Sequence, residues 1–147
     1  MKVNRAVIVI LKKGDTFLIT KRSESCRWAP GKWQIPGGAV EQGEPFDEAG
    51  IREINEEVGV NILPKDLQFV GLIDYRNGSS DDTDIAVFIS EKWLNTPRNM
   101  EPDKCSELKW INRDEIPEEI ISHAPFIIEN LGDAPLYIKS ENDKVTL

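Results

Sequence analysis

The sequence predicts an α/β domain in which helices cover a mixed β-sheet. Short, β-branched apolar stretches alternate with polar turns along most of the chain, and only two segments show the spacing of a helix. The length of 147 residues matches one domain, with no internal repeat or Pro/Gly/Ser-rich linker to divide it. We therefore expect residues 1–147 to form a single domain.

The first elements form a predicted β-hairpin. Residues 3–11 are apolar and β-branched, a Lys-Lys-Gly-Asp turn follows, and residues 16–20 are apolar again. Residues 23–34 predict a loop that leads into a short strand. Pro36 and Gly37 suit the two central positions of a type II turn.

Residues 45–58 predict the first helix. Pro45 suits a first helical position, and Gly59 is a plausible stop. Gly50 lies in the helix interior, where glycine costs about 1 kcal/mol relative to alanine, so Gly50→Ala is predicted to stabilise the protein. Further strands are predicted at 67–75, 84–90 and 107–111. The second helix is predicted from Ile116-Pro117 to Leu131, and a polar, frayed tail from Glu141 to Leu147.

Charge and composition exclude several classes of protein. The net charge of −8 disfavours a partner that is a nucleic-acid polymer. The longest apolar run, from Ala6 to Leu11, is too short to span a membrane and lacks the features of a signal peptide, so we expect a cytoplasmic protein. Cys26 and Cys105 match no metal or redox motif and are expected to be free and at least half-buried. The single histidine, His123, is expected on a surface helix or loop.

The first predicted helix is unusually acidic. Residues 41–57 contain seven acids and a single base, Arg52. A helical projection places Glu53, Glu56 and Glu57 on one side, opposite an apolar stripe. Like charges at this spacing repel, and a hard divalent cation would relieve the repulsion because it binds carboxylate oxygens.

The spacing of these acids is more specific than their number. From Gly38 the chain reads GAVEQGEPFDEAGIREINEEVGV, with Glu44, Arg52-Glu53, Glu56-Glu57 and Gly59 at fixed intervals. This 23-residue segment resembles the signature of the Nudix hydrolase family, including its MutT-like members. The preceding GKWQIPGG run is similar to the family as well.

The resemblance implies a fold and a reaction. The fold would be an alpha/beta/alpha sandwich with a central mixed sheet and helices on both faces. The reaction would be hydrolysis of the diphosphate linkage in a nucleoside diphosphate joined to a group X, with Mg²⁺ or Mn²⁺ as cofactor. The favoured substrate is a nucleoside triphosphate, giving a monophosphate and pyrophosphate. Alternatives are an ADP-ribose or nucleotide-sugar pyrophosphatase, and a non-catalytic nucleotide sensor. The only partner implied is the small nucleotide, and the chain would be a monomer or homodimer.

The resemblance also assigns roles within the signature segment. Glu53, Glu56 and Glu57, with the carbonyl of Gly38, would bind the metal. Arg52 would orient a neighbouring carboxylate. The general base stays open between Glu53, Glu56 and a residue outside the segment. Structural or outer roles fall to Gly37, Glu44 and Gly59.

Outside the segment, three positions are candidates. Arg22 would face the substrate phosphates, and Trp28 would stack on a base. A late acid would supply a further ligand or the base, and Glu107 is preferred to Glu101.

Overall fold

The computed structural model describes residues 3–78, 81–142 and 144–147. The regular elements of these residues are nine strands, two α-helices and two short 3-10 helices (Pro64–Asp66 and Arg113–Glu115). The strands are β1 (Asn4–Lys13), β2 (Thr16–Arg22), β3 (Trp33–Gln34), β4 (Gly37–Ala39), β5 (Gln68–Arg76), β6 (Thr83–Ser90), β7 (Cys105–Ile111), β8 (Leu136–Glu141) and β9 (Lys144–Thr146). The helices are α1 (Phe46–Val58) and α2 (His123–Asn130).

The strands form one curled, mixed sheet in the order β3-β2-β1-β6-β5-β8-β9, with β4 added beside β1 and β7 beside β2. The β1–β6 and β5–β8 pairs are parallel, whereas the other pairs are antiparallel. The predicted mixed sheet is therefore confirmed.

Alternation along β1 divides the core between the two faces of the sheet. Val7, Val9 and Leu11 pack in the clusters that contain the buried residues of α1. Ile10 packs in the other cluster, which holds Ala124, Ile127 and Ile128 of α2. Each helix thus covers one face, as the predicted sandwich requires.

Helix α1 begins and ends close to its predicted bounds. Pro45 occupies the N-cap, one position before the first helical residue. Gly59 caps the C-terminus with φ of 74°, a left-handed conformation that glycine adopts without a steric penalty.

Two expectations about the second half of the chain are wrong. Helix α2 begins at His123 instead of near Ile116, because Ile120 pairs with Trp33 in an isolated parallel bridge that keeps this stretch extended. The tail is not frayed where the structure describes it: Lys144–Thr146 pairs with β8 as an antiparallel strand. Leu136–Glu141 forms a strand that the sequence analysis missed.

Candidate active site

Arg52 lies at the centre of an ion-pair network on the solvent side of α1. Its Nε and Nη2 atoms donate to the two carboxylate oxygens of Glu44 at 2.8 and 2.9 Å. Its Nη1 atom lies 3.0 Å from Glu53 Oε1 and 3.2 Å from Glu56 Oε2. One guanidinium therefore holds three of the acids of the signature segment, through the bidentate geometry that arginine favours.

Glu44 serves this network and does not cap the helix. No side chain caps the N-terminus of α1 by a hydrogen bond. Glu44 instead binds Arg52 and also accepts from the backbone N–H of Glu41 at 3.1 Å. The hydrogen bond from Arg52 lowers the pKa of Glu44 to about 2. Glu44 therefore has the structural role expected of it, through Arg52 and not through capping of the helix.

Glu53 lies against the backbone of β4. A Cβ atom at position 38 would overlap the Glu53 carboxylate, so a larger residue there would displace this side chain from the backbone of β4. Burial raises the pKa of Glu53, and Arg52 opposes this by stabilising the charged form. Gly38 and Glu53 are thus in direct contact, as a shared metal site would require.

Glu57 is the most strongly perturbed acid of α1. Its Oε2 atom accepts from the backbone N–H of Gly37 at 3.3 Å. Burial raises its pKa to about 8, and the nearby charges of Glu53 and Glu101 contribute to the rise. Around this carboxylate the negative charges of Glu53 and Glu101 outweigh the positive charge of Arg22, which is typical of a cation site.

Gly37 is required by packing and not by a turn. It belongs to β4, its φ is not positive, and a Cβ there would overlap the carbonyl oxygen of Val7 on β1. The expected type II turn at Pro36-Gly37 is therefore wrong. Close approach of β4 to β1 explains the glycine.

Arg22 lies beside Glu57 and contacts Trp28. Arg22 lines a small cavity with Glu57, Glu101, Gln34 and other residues. Its Nε atom donates to the carbonyl of Trp28 at 2.8 Å, and its guanidinium lies 5.0 Å from the centre of the Trp28 ring. Trp28 is 51% exposed, which leaves much of the indole available.

The structure brings Glu101 to this cavity and not Glu107. Glu101 lines the cavity, and its charge raises the pKa of Glu57. Glu107 is exposed on β7 opposite Lys21, whereas the cavity-lining Thr20 projects from the other face of the same strand pair. The preference for Glu107 is not supported by this arrangement. Strand register separates the two acids, and their spacing in the sequence does not reveal it.

The donor set fits a hard cation, although the acids are not gathered into a complete site. Glu53, Glu57 and Glu101 provide carboxylate oxygens in a region of excess negative charge. In residues 3–78, 81–142 and 144–147, no three acids, histidines or cysteines converge closely enough to hold an ion. Glu56 is 51% exposed at its side chain and is directed towards Arg52.

Sequence reasoning missed two kinds of residue. Cys26 and Cys105 are free and half-buried, as expected, but both line the cavity that contains Glu57. His123 is 7% exposed, so its expected surface position is wrong. Its place between two apolar stretches in the sequence was a signal that this histidine is buried.

No helix in the described part of the chain is long and apolar enough to cross a membrane.

Trp33 packs in the core with 9% exposure.

Comparisons with known proteins identify the family. The NUDIX domain model matches residues 1–129. The 8-oxo-dGTP diphosphatase of Escherichia coli is 30% identical over 118 residues, which cover 79% of this chain and 88% of that protein. A MutT NUDIX hydrolase structure from Burkholderia pseudomallei superposes with a TM-score of 0.80 and 22% identity, over 90% of this chain and 100% of that one.

Other relatives match over shorter parts. The m7GpppN-mRNA hydrolase NUDT17 of Danio rerio is 39% identical over 66 residues, and the match spans only 22% of that protein. An isopentenyl-diphosphate Delta-isomerase of Cereibacter sphaeroides is 24% identical over 123 residues, 80% of this chain and 68% of that protein. The names of these relatives describe different reactions, so members of the family differ in their substrates. The superposition shows the fold, and the family model together with the Escherichia coli relative shows that this chain belongs to the Nudix family.

Proposed function

We propose that this chain is a divalent-metal-dependent hydrolase that cleaves a nucleoside triphosphate to a monophosphate and pyrophosphate. The observation that carries the proposal is the joint placement of Glu53 and Glu57 against the Gly37-Gly38 backbone, with Arg52 behind them and Arg22 beside them. The similarity to an 8-oxo-dGTP diphosphatase over most of both chains supports a triphosphate substrate.

Glu53, Glu56, Glu57 and the carbonyl of Gly38 would hold Mg²⁺ or Mn²⁺, with Glu101 as a further ligand in preference to Glu107. A divalent cation bound there neutralises phosphate oxygens and lowers the pKa of a water ligand. The chain's own residues carry the other roles. Arg22 binds a phosphate oxygen at the mouth of the cavity, and Arg52 keeps the Glu53 carboxylate in place.

A carboxylate oxygen then accepts the proton of the attacking water. The water oxygen forms a bond to one phosphorus, and the bond from that phosphorus to the bridging oxygen breaks in line with it. Glu53 and Glu56 are the candidates for this base, and Glu101 is the candidate outside the signature segment. The substrate is a free nucleotide and not a polymer, because the net charge of −8 repels a long polyanion. The free thiols of Cys26 and Cys105 support a reducing, cytoplasmic setting.

The test is turnover by the complete chain, as a monomer or homodimer, with Mg²⁺ or Mn²⁺. The substrates are nucleoside triphosphates, an oxidised triphosphate, ADP-ribose and a nucleotide sugar, with products separated by chromatography. We expect pyrophosphate and a monophosphate from a triphosphate, and loss of at least about 100-fold in Glu57→Gln. Glu48→Gln is the matched control, because Glu48 is exposed on the same helix.

Full activity in Glu57→Gln would refute the site. Preferential hydrolysis of ADP-ribose or the nucleotide sugar would refute the substrate. Binding of nucleotide and metal without turnover of any substrate would instead show a sensor module.

A further inference from the structure

The segment that precedes β7 is held against the C-terminal end of α1. The backbone N–H of Arg98 donates to the carbonyl of Val58 at 2.9 Å. The backbone N–H of Met100 donates to the carbonyl of Glu57 at 3.0 Å. The last carbonyls of a helix have no partner within the helix, so these two contacts satisfy them and fix the segment relative to α1. Glu101 is the next residue of this segment and therefore lies beside the last turn of α1.

Asn99 is half-buried and joins the two ends of the turn that contains Glu101. Its Oδ1 atom accepts from the backbone N–H of Glu101 at 3.0 Å. Its Nδ2 atom donates to the carbonyl of Cys105 at 2.7 Å. Cys105 is the first residue of β7, and it pairs with Arg22 on β2. One side-chain amide thus connects Glu101 with the strand pair that carries Arg22.

The backbone of the turn determines where the Glu101 side chain begins. The N–H groups of Lys104 and Cys105 both donate to the Glu101 carbonyl, at 2.9 and 2.8 Å. The ion pair of Glu101 within the turn is weaker, because Lys104 Nζ lies 3.5 Å from Glu101 Oε2 and the lysine side chain is 69% exposed. Exposed pairs of this kind contribute about 1 kcal/mol at most. Lys104 therefore does little to hold the carboxylate in place.

The Glu101 carboxylate is within electrostatic reach of the acids of α1. It lines the cavity that contains Glu57, and its charge raises the pKa of both Glu53 and Glu57. Like charges repel, so in the absence of a cation this repulsion favours conformations in which Glu101 turns away from α1. A contact that fixes the backbone at Glu101 opposes this movement, and the side chain of Asn99 makes such a contact.

We propose that Asn99 is a positioning residue, whose side-chain amide holds Glu101 at the candidate metal site. This inference rests on the proposed function, in which Glu101 is a further metal ligand. Asn99 itself contacts neither metal nor substrate in this proposal, because its amide oxygen and nitrogen are both engaged with the backbone of the turn. The inference adds a neutral residue, outside the signature segment, that acts through Glu101.

The direct test measures Mn²⁺ binding to the complete chain without nucleotide, from the electron paramagnetic resonance signal of free Mn²⁺. We expect Glu101→Gln and Asn99→Ala each to weaken binding about tenfold. The double variant should bind within about twofold of Glu101→Gln alone, because Asn99 has no role once the Glu101 carboxylate is lost. Unchanged binding in Asn99→Ala, or losses that multiply in the double variant, overturns the proposal.

Two further variants separate positioning from general loosening of a loop. Asn112→Ala is the matched control, because Asn112 is exposed beyond the other end of β7 and its side chain likewise stabilises a local turn, through Glu115. We expect its Mn²⁺ affinity to be unchanged. Asn99→Ser retains an oxygen that can accept from the Glu101 N–H, so it should recover part of the loss, and it replaces Asn99→Ala if that variant does not fold. An equal loss in Asn112→Ala overturns the proposal.

Kinetics separate this inference from the proposed function. In Asn99→Ala, kcat/KM for the nucleoside triphosphate should fall about tenfold at low Mn²⁺ and recover as Mn²⁺ approaches saturation. Loss of Mn²⁺ affinity that is coupled to Glu101, in a chain that hydrolyses no triphosphate, would refute the hydrolase and leave the role of Asn99 standing. Turnover with unchanged Mn²⁺ affinity in Asn99→Ala would refute the role of Asn99 alone.

Discussion

Arg52 has more partners than an isolated helix would give it. Helical spacing alone would place Arg52 within reach of Glu48 and Glu56, four residues before and after it. The structure adds Glu44, eight residues earlier and outside α1, as its bidentate partner. The folding of the 37–45 segment over the helix creates this contact, and no helical periodicity could predict it.

Arg52→Lys keeps the positive charge but loses the hydrogen-bonding geometry of the guanidinium, so it should separate the two contributions. An ammonium group cannot bind both oxygens of Glu44 and reach Glu53 at the same time. We expect kcat/KM to fall about 10- to 100-fold and the free energy of unfolding to fall by about 1–2 kcal/mol. Steady-state kinetics and chemical denaturation measure the two effects. Arg113→Lys, at an exposed position, is the control, and equal activity in both variants would reduce Arg52 to a surface ion pair.

Ionisation of Glu57 destabilises the folded chain, so the free energy of unfolding depends on pH. Its pKa is about 8 in the folded chain and 4.5 as the ordinary value, so the fold disfavours its charged form. Its contribution to stability is therefore present at low pH and is lost as the pH rises from about 4.5 to 8. In EDTA at pH 8, Glu57→Gln should be more stable than the natural chain by about 1–3 kcal/mol.

Thermal melts from pH 4.5 to 8 measure this difference. The gap between Glu57→Gln and the natural chain should widen across the window, while Glu48→Gln shows no such trend. A gap that stays constant with pH would contradict the origin that we assign to it. The combination of higher stability and lost activity would mark Glu57 as a functional residue.

At the scale of elements, Gly50 shows where helix propensity alone misleads. The sequence predicts that Gly50→Ala stabilises α1. A Cβ at Gly50 would lie only 3.2 Å from Val9 Cγ2 and 3.3 Å from Val7 Cγ2. The gain in helix propensity, about 1 kcal/mol, is therefore opposed by crowding against β1.

Larger side chains at this position should be clearly unfavourable. We expect Gly50→Val to lower the free energy of unfolding by about 1–3 kcal/mol, because α1 must move away from β1. Urea denaturation measures the change, and Glu48→Val on the exposed face controls for β-branching in a helix. A loss no greater than that of Glu48→Val would mean that a valine side chain fits between α1 and β1 without moving them apart.

The two helices differ in how well the sequence predicts them. Helix α1 has an apolar stripe, a proline before its start and a glycine after its end, so its bounds follow from local chemistry. Helix α2 is eight residues long and begins without a side-chain cap, and the stretch before it is held by pairing with Trp33. This contact joins segments that are far apart in the sequence, so it cannot be predicted from the residues around Ile120.

At the scale of the whole molecule, the last strand is the clearest difference from expectation. A polar tail looked frayed, yet Val145 pairs with Ser140 and packs at the margin of the core. Val145→Asp should lower the free energy of unfolding by about 1–2 kcal/mol, whereas Thr146→Asp, on the exposed face, should change it little. Thermal denaturation compares them. Equal melting temperatures would support the frayed tail.

The candidate site was predictable where it is local in sequence. Helix α1 carries four of the site residues, and their spacing in the sequence shows that they lie on the same side of it: Arg52, Glu53, Glu56 and Glu57. Glu101 reaches its cavity, and His123 its buried position, through the packing of distant segments, which single-sequence patterns do not encode. The family and the fold were therefore predictable, whereas the late acid and the burial of His123 were not.

The parallel pairing of β1 with β6 also determines when this chain can fold. Residues 4–11 pair with residues 83–90, so β1 has no partner strand on that side until about 80 further residues have been synthesised. Contacts between such distant segments slow folding and prolong the exposure of apolar strands. A nascent chain would thus carry an uncovered, aggregation-prone β1 on the ribosome. Growth at lower temperature, at which hydrophobic association is weaker, should therefore increase its yield in the folded form.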